Sequence, residues 1–241
     1  MSIYKQHYKK NIRNIAFRFD ADESIGFGHL IRVKGFIYRN LNNFNKFILI
    51  TKSSKRKINL HFLNKKIKIY YLNVQNFRKF ENIFKILSFE NCKVLISDIS
   101  YKQNIRTKNF FQKYYNYLKK KNILSISIDD PRQYINSDVS IIPNTIIRNN
   151  IRKNELSKIF VGTKYICFNN DLTKSNKKIK KKPNNILISI GSDDKKNYSL
   201  KILKSILKLN LPIKIRILLN KKCISKFKDL QKKHKNINFI T

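Results

Sequence analysis

The chain has 241 residues and is 41% hydrophobic, enough to bury the core of one large domain or two modest ones, which excludes a disordered tail or a disulfide mini-protein. Its 53 Lys and Arg against 14 Asp and Glu give a formal charge of +39, which taken alone points to nucleic acid or an anionic surface. The excess, however, is shared by Lys, Asn, Ile, Phe and Tyr while Gly, Pro and Trp are scarce; this is the mark of A/T-rich codons rather than of a clustered footprint, and no specific nucleic-acid partner is expected.

Residues 1–14 are polar and basic, without the apolar stretch of a secretory signal, and no run approaches the roughly 18 apolar residues of a spanning helix. A cytoplasmic chain with no membrane partner is expected. From there short β-rich runs alternate with longer amphipathic ones: a strand over 15–19, a helix over 30–41, a strand over 47–51, a helix over 58–63 and a strand over 67–72. Phe80, Ile83, Phe84 and Leu87 follow at helical spacing, then a strand over 94–96. An aromatic helix through Phe110, Phe111, Tyr114, Tyr115 and Leu118 precedes a strand over 123–128. Strands separated by helices of this length predict a parallel sheet covered on both faces.

Beyond Asp129 the rhythm changes to short strands over 139–142 and 165–168. A Lys/Asn-rich linker over 173–185 then separates an N-terminal domain, 1–172, from a second β-α-β series over 186–241. That second domain has 56 residues, where a doubly wound domain usually needs about 100 or more. It is therefore expected to be a partial one. Cys92, Cys167 and Cys223 lie far apart with no C-x-x-C pair, so buried reduced thiols are expected rather than a metal site.

The chemistry concentrates in residues 18–32, at the first strand-to-helix turn, where open α/β sheets bind ligands. Two of only five glycines, Gly26 and Gly28, fall here and give the backbone freedom to turn sharply and approach a ligand. A dinucleotide fingerprint fails because Ile31 stands at its third glycine, and no cofactor is expected. His29 instead follows the second glycine at the helix N-terminus, a place that suits a neutral imidazole acting as general base. A capping histidine without chemistry is the competing reading, but Arg32, at i+3 on the same face, favours a functional one. His7, His61 and His234 lack such surroundings and read as solvated. Asp193 and Asp194 read as helix-start residues.

Arg-x-Asp followed by Ile-Gly-x-Gly-His-x-x-Arg resembles the UDP-2,4-diacetamido-2,4,6-trideoxy-beta-L-altropyranose hydrolase family of pseudaminic acid biosynthesis. The likeness extends with gaps over about residues 15–219, through the strands ending at Asp98 and at Asp129 with Asp130, the stretch from Ser137 to Asn144, Gly162 to Tyr165, and Ile188 to Asp193. It implies a glycosyltransferase B-like α/β fold: a Rossmann-like N-terminal domain plus an incomplete second Rossmann-like domain, facing a cleft. It further implies hydrolysis of a UDP-sugar without a metal, with His29 corresponding to the family's catalytic histidine; a monomer is expected.

Substrate contacts are expected from Arg18, Asp20, Gly26, Gly28, Arg32, Asp98, Asp129 and Asn144, with backbone donors at Gly191 and Ser192 for the nucleotide phosphate. Asp20 is expected to orient the sugar or His29, and Arg32 to offset negative charge. The sequence departs from the family at Ile190, where a glycine is common, and at Phe168 to Asn170, where an arginine is usual. The family's later UDP-holding segment has no counterpart before Thr241. A related glycosyltransferase, a truncated inactive relic and a basic interaction module remain alternatives.

Overall fold

In the computed structural model, the described residues are 13–22, 25–73, 79–99, 105–129, 137–143, 159–166, 184–190, 194, 196–219 and 221–240. The chain divides into two compact units, Met1–Leu172 and Thr173–Thr241. The predicted linker over 173–185 lies almost wholly outside the described residues.

In the first unit the β-rich runs form strands β1 (Asn14–Phe19), β2 (Lys46–Thr51), β3 (Ile67–Tyr71), β4 (Val94–Asp98), β5 (Leu124–Ile128), β6 (Val139–Ile142) and β7 (Ile159–Val161). Together they make a parallel sheet in the order β3-β2-β1-β4-β5-β6-β7. This is the Rossmann order, which steps outward from β1 in both directions and leaves a switch point between β1 and β4. The intervening helices are α1 (Gly28–Arg39), α2 (Lys55–Asn59), α3 (Phe80–Phe89) and α4 (Ile105–Lys120).

Both faces are covered, as predicted. α1 and α2 bring Leu30, Val33, Ile37 and Ile58 onto Phe17, Phe19, Phe47 and Leu49. α3 and α4 bring Ile83, Leu87, Phe111, Tyr114 and Leu118 onto Ala16, Ile48, Ile50 and Leu95. Burying an aliphatic or aromatic side chain of this size stabilises by about 1.5–3 kcal/mol, so the alternation within β1, Phe17 and Phe19 one way and Ala16 the other, fixes its register between two layers.

The expected strand over 165–168 is corrected at Tyr165 and Ile166, while residues 167 and 168 lie outside the described residues. The sheet takes Ile159–Val161 instead; Gly162, at φ 129°, then turns the chain out of the sheet into a short 3-10 helix, Thr163–Tyr165.

The second unit holds β8 (Asn185–Ser189), α5 (Tyr198–Leu207), β9 (Lys214–Leu218), a 3-10 segment (Lys221–Phe227), α6 (Lys228–Lys233) and β10 (Ile237–Ile240), in a parallel sheet ordered β10-β9-β8. The three helical segments pack Leu203, Phe227 and Leu230 against Ile188, Ile215, Ile217 and Ile237. No described helix is long and apolar enough to cross a membrane.

Candidate functional site

The site is built where β1 and β4 diverge. After β1 the chain closes a tight turn: Gly26 N–H donates to Asp22 O at 2.7 Å and Ile25 N–H donates to Asp22 Oδ1 at 2.9 Å. Gly26 has φ 91°, a left-handed conformation that costs an L side chain strain. Gly28 is different, since it is the first residue of α1 and a Cβ added there would meet nothing within 4 Å. The fold therefore requires glycine at 26, whereas at 28 it leaves open space beside the helix start.

A second tie holds this turn from below. Ala21 N–H donates to Ser53 Oγ at 2.7 Å, and Lys52 N–H to Asp20 Oδ1 at 2.9 Å, joining the ends of β1 and β2. Arg18 and Asp20 form a two-pronged ion pair at 2.6 and 2.9 Å, with their side chains 1% and 3% exposed. A buried pair so fully engaged braces the loop from within. Asp20 is thus not the partner of His29 that the sequence suggested.

That partner is Asp98. It ends β4, is fully buried, and its Oδ1 lies 2.7 Å from His29 Nδ1. An ionised carboxylate only accepts, so Nδ1 carries the proton and donates it to Asp98, leaving Nε2 as the basic nitrogen of the ring. The capping alternative for His29 falls away, because the cap residue of α1 is Phe27, whose carbonyl accepts from Ile31 N–H at 3.0 Å.

One turn on, Arg32 Nε lies 3.2 Å from Asp98 Oδ2 and Nη1 lies 2.9 Å from Asp129 Oδ2. The first contact is an ion pair without hydrogen-bond alignment, since Oδ2 has no hydrogen-bond partner among the described residues. Asp129, beyond the end of β5, has φ 59° and is 43% exposed at its side chain.

The structure thus gathers His29, Arg32, Asp98 and Asp129 into one connected group, with Gly26 and Gly28 leading into it and Arg18 and Asp20 bracing the adjoining loop. Asn144, Gly191, Ser192, Asp130 and Asp193 lie outside the described residues. Asp194 lies three residues ahead of the cap residue Asn197, and its carboxylate accepts from Tyr198 and Ser199 N–H at 2.7 and 2.8 Å, covering the first amides of α5. His61 and His234 are half-buried rather than solvated, and burial followed by Lys34 lowers the His61 pKa. His7 lies outside the described residues, as does Cys167. Burial pushes the Cys92 thiol up to about 12, which makes it an unreactive core residue. Among the described residues no three His, Cys, Asp or Glu side chains gather as a metal site would require.

Sequence reasoning missed the ties from Thr51, Lys52 and Ser53 to the β1 loop. A Thr-x-Ser ending the second strand was the available signal.

Comparison with known proteins agrees with this architecture. The chain is similar to UDP-N-acetylglucosamine 2-epimerase from Rickettsia bellii, with TM-score 0.52 and 15% identity over 96% of this chain and 69% of that one. It is similar to UDP-GlcNAc 2-epimerase from Neisseria meningitidis bound to UDP-GlcNAc, with TM-score 0.50 and 13% identity over 94% and 72%. It is also similar to S. aureus MnaA in a structure with UDP, with TM-score 0.51 and 12% identity over 95% and 68%. No family model matches the sequence, and no curated protein matches it. At these identities the likeness shows the fold, a glycosyltransferase B-like α/β protein with Rossmann-like units.

Proposed function

We propose that this chain hydrolyses a UDP-linked diacetamido-trideoxy sugar to free sugar and UDP, with His29 as general base. The observation that carries the reading is the hydrogen bond from His29 Nδ1 to the buried Asp98, at the glycine turn of a Rossmann-like sheet. A carboxylate behind one imidazole nitrogen fixes the ring and its tautomer and stabilises the imidazolium that forms when the other nitrogen takes a proton.

In the reaction Nε2 removes a proton from water as the water oxygen bonds to the anomeric carbon. The bond from that carbon to the diphosphate oxygen breaks, and UDP leaves with the electron pair. Direct attack from the opposite face inverts the anomeric configuration. The base later returns its proton to solvent.

Within this reading Gly28 gives the substrate close approach to the helix start. Gly191 and Ser192 stay in the proposal as diphosphate donors, and Asn144 as a substrate contact, on sequence grounds alone. The fold likeness to UDP-sugar enzymes, two of them crystallised with UDP-GlcNAc or UDP, supports the substrate class. In this reading the buried Arg18, Asp20 and Asp98 hold the site from within.

The test is to incubate the purified chain with the UDP-sugar and follow the products by proton NMR. UDP with free sugar, first seen as the inverted anomer, is the expected result. A glycoside formed only with an added acceptor, or a sugar epimerised while still joined to UDP, would overturn hydrolysis in favour of transfer or epimerisation.

A further inference from the structure

The sequence offered Arg32 as a cation that offsets the charge of the substrate, but its surroundings give it other work. Its guanidinium, 18% exposed, is already engaged by two carboxylates, Asp98 through Nε and Asp129 through Nη1. Asp98 is fully buried, and a buried carboxylate whose oxygens lack partners is costly. Its Oδ1 is occupied by His29, while its Oδ2 has no hydrogen bond among the described residues and lies beside the Arg32 charge.

The outer carboxylate is held deliberately. Asp129 adopts a left-handed backbone, in which non-glycine residues are uncommon but Asp is one of those that tolerate it. Its N–H donates to Ile141 O at 2.9 Å, so β6 anchors the residue whose side chain reaches back to α1.

We propose that Arg32 is a positioning residue: its ion pair with Asp98 Oδ2 keeps that carboxylate unrotated so that Oδ1 holds His29, and Asp129 is the tether that keeps the guanidinium in place. The proposal deepens the hydrolase reading and rests on His29 being its base. It differs from a substrate-binding role in what it predicts. Loss of a phosphate contact raises KM, whereas loss of a brace lowers kcat and disturbs the His29 ring even when no substrate is bound.

The experiment uses the full chain as parent, Arg32→Gln, Arg32→Lys and Asp129→Asn. Steady-state UDP release is measured for each, and nitrogen-proton NMR of the unliganded imidazoles is recorded, with His29→Ala assigning the signals. Arg32→Gln is expected to lose the Nδ1-H signature of His29 and to lower kcat by about 10- to 100-fold, the scale of a misplaced catalytic group, with KM nearly constant. Arg32→Lys is expected to recover most of kcat. Asp129→Asn, which spares the buried pair, is expected to lower kcat a fewfold at constant KM.

An unchanged His29 spectrum and kcat in Arg32→Gln, with a strongly raised KM, would overturn the proposal and return Arg32 to the substrate. If Arg32→Gln fails to fold, Arg32→Lys and Asp129→Asn decide the question, and parental kcat in Asp129→Asn overturns the tether. A parent chain that releases no UDP would refute the hydrolase reading, while the NMR comparison still tests the brace.

Discussion

Two buried carboxylates stand at opposite edges of the same sheet, and they are equipped differently. At the N-terminal edge, Glu90 follows α3 and receives Lys68 Nζ and Tyr70 Oη at 2.5 Å each, with Lys46 Nζ at 3.7 Å. Its backbone carbonyl also accepts from Asn14 Nδ2 at 2.7 Å. At the C-terminal edge, Asp98 holds a histidine with one oxygen and, among the described residues, has the Arg32 ion pair without a hydrogen bond on the other. Glu90 is held by side chains of β2 and β3, and its backbone ties them to the start of β1 through Asn14. Asp98 faces a ring that can take up and release a proton, next to a glycine turn with open space at Gly28. A carboxylate tied to lysines and a tyrosine serves the fold, and one paired to a histidine at the switch point serves chemistry.

The comparison is broken most directly by activity. His29→Ala should lower UDP release by about 100-fold or more in a variant that remains folded; a loss of only a fewfold would remove His29 from the chemistry. Glu90→Gln should do the reverse, costing about 1–3 kcal/mol of stability, the cost of spoiling a buried charged hydrogen-bond acceptor, while kcat stays near the parental value. Calorimetry beside the UDP assay checks both, and a large kcat loss in Glu90→Gln would erase the distinction between the two edges.

The pH dependence of that stability sharpens it. Burial raises the Glu90 pKa, but hydrogen bonds from Lys68 and Tyr70 outweigh it and hold the carboxyl below its ordinary 4.5. A group depressed in the folded state stabilises above its unfolded pKa and loses that contribution as pH falls through the folded value. The difference in melting temperature between parent and Glu90→Gln should therefore be full near neutrality and shrink below about 4.5. Lys68 is raised above 10.5, chiefly by its hydrogen bond to Glu90, so its share is complete below that pH and fades only above it. A difference that persists unchanged into acid would contradict the assignment.

The smallest effect separates the two glycines. Gly26→Ala should destabilise by about 1 kcal/mol or more because of its positive φ, whereas Gly28→Ala should melt like the parent. A drop in kcat/KM for Gly28→Ala at unchanged stability would mark the open space as ligand space; equal destabilisation by both substitutions would count against the geometry of the turn.

Much of this was legible in the sequence. The periodicities of Ile83, Leu87, Phe111 and Leu118 gave the covering helices, and the glycine pair ahead of His29 marked the turn, because both signals are local. The His29 partner was not local: Asp20, nine residues away, looked nearer than Asp98, sixty-nine residues on. The doubly wound order sets β4 beside β1, and a strand-ending aspartate on β4 therefore comes closer to α1 than one in the adjoining loop. Arg18 showed the opposite limit, since nothing in Arg-x-Asp says whether such a pair faces a ligand or is sealed inside. The strand expected to start at Tyr165 met a 3-10 turn instead, because Gly162 at positive φ is the exit from the sheet.

The most direct measurement is UDP release from the UDP-sugar by the parent chain and by Asp98→Asn, side by side with their melting curves. The account predicts release by the parent and a loss of about 100-fold or more in kcat for a variant that remains folded. Equal rates in the two proteins, or no release by a folded parent, would contradict it.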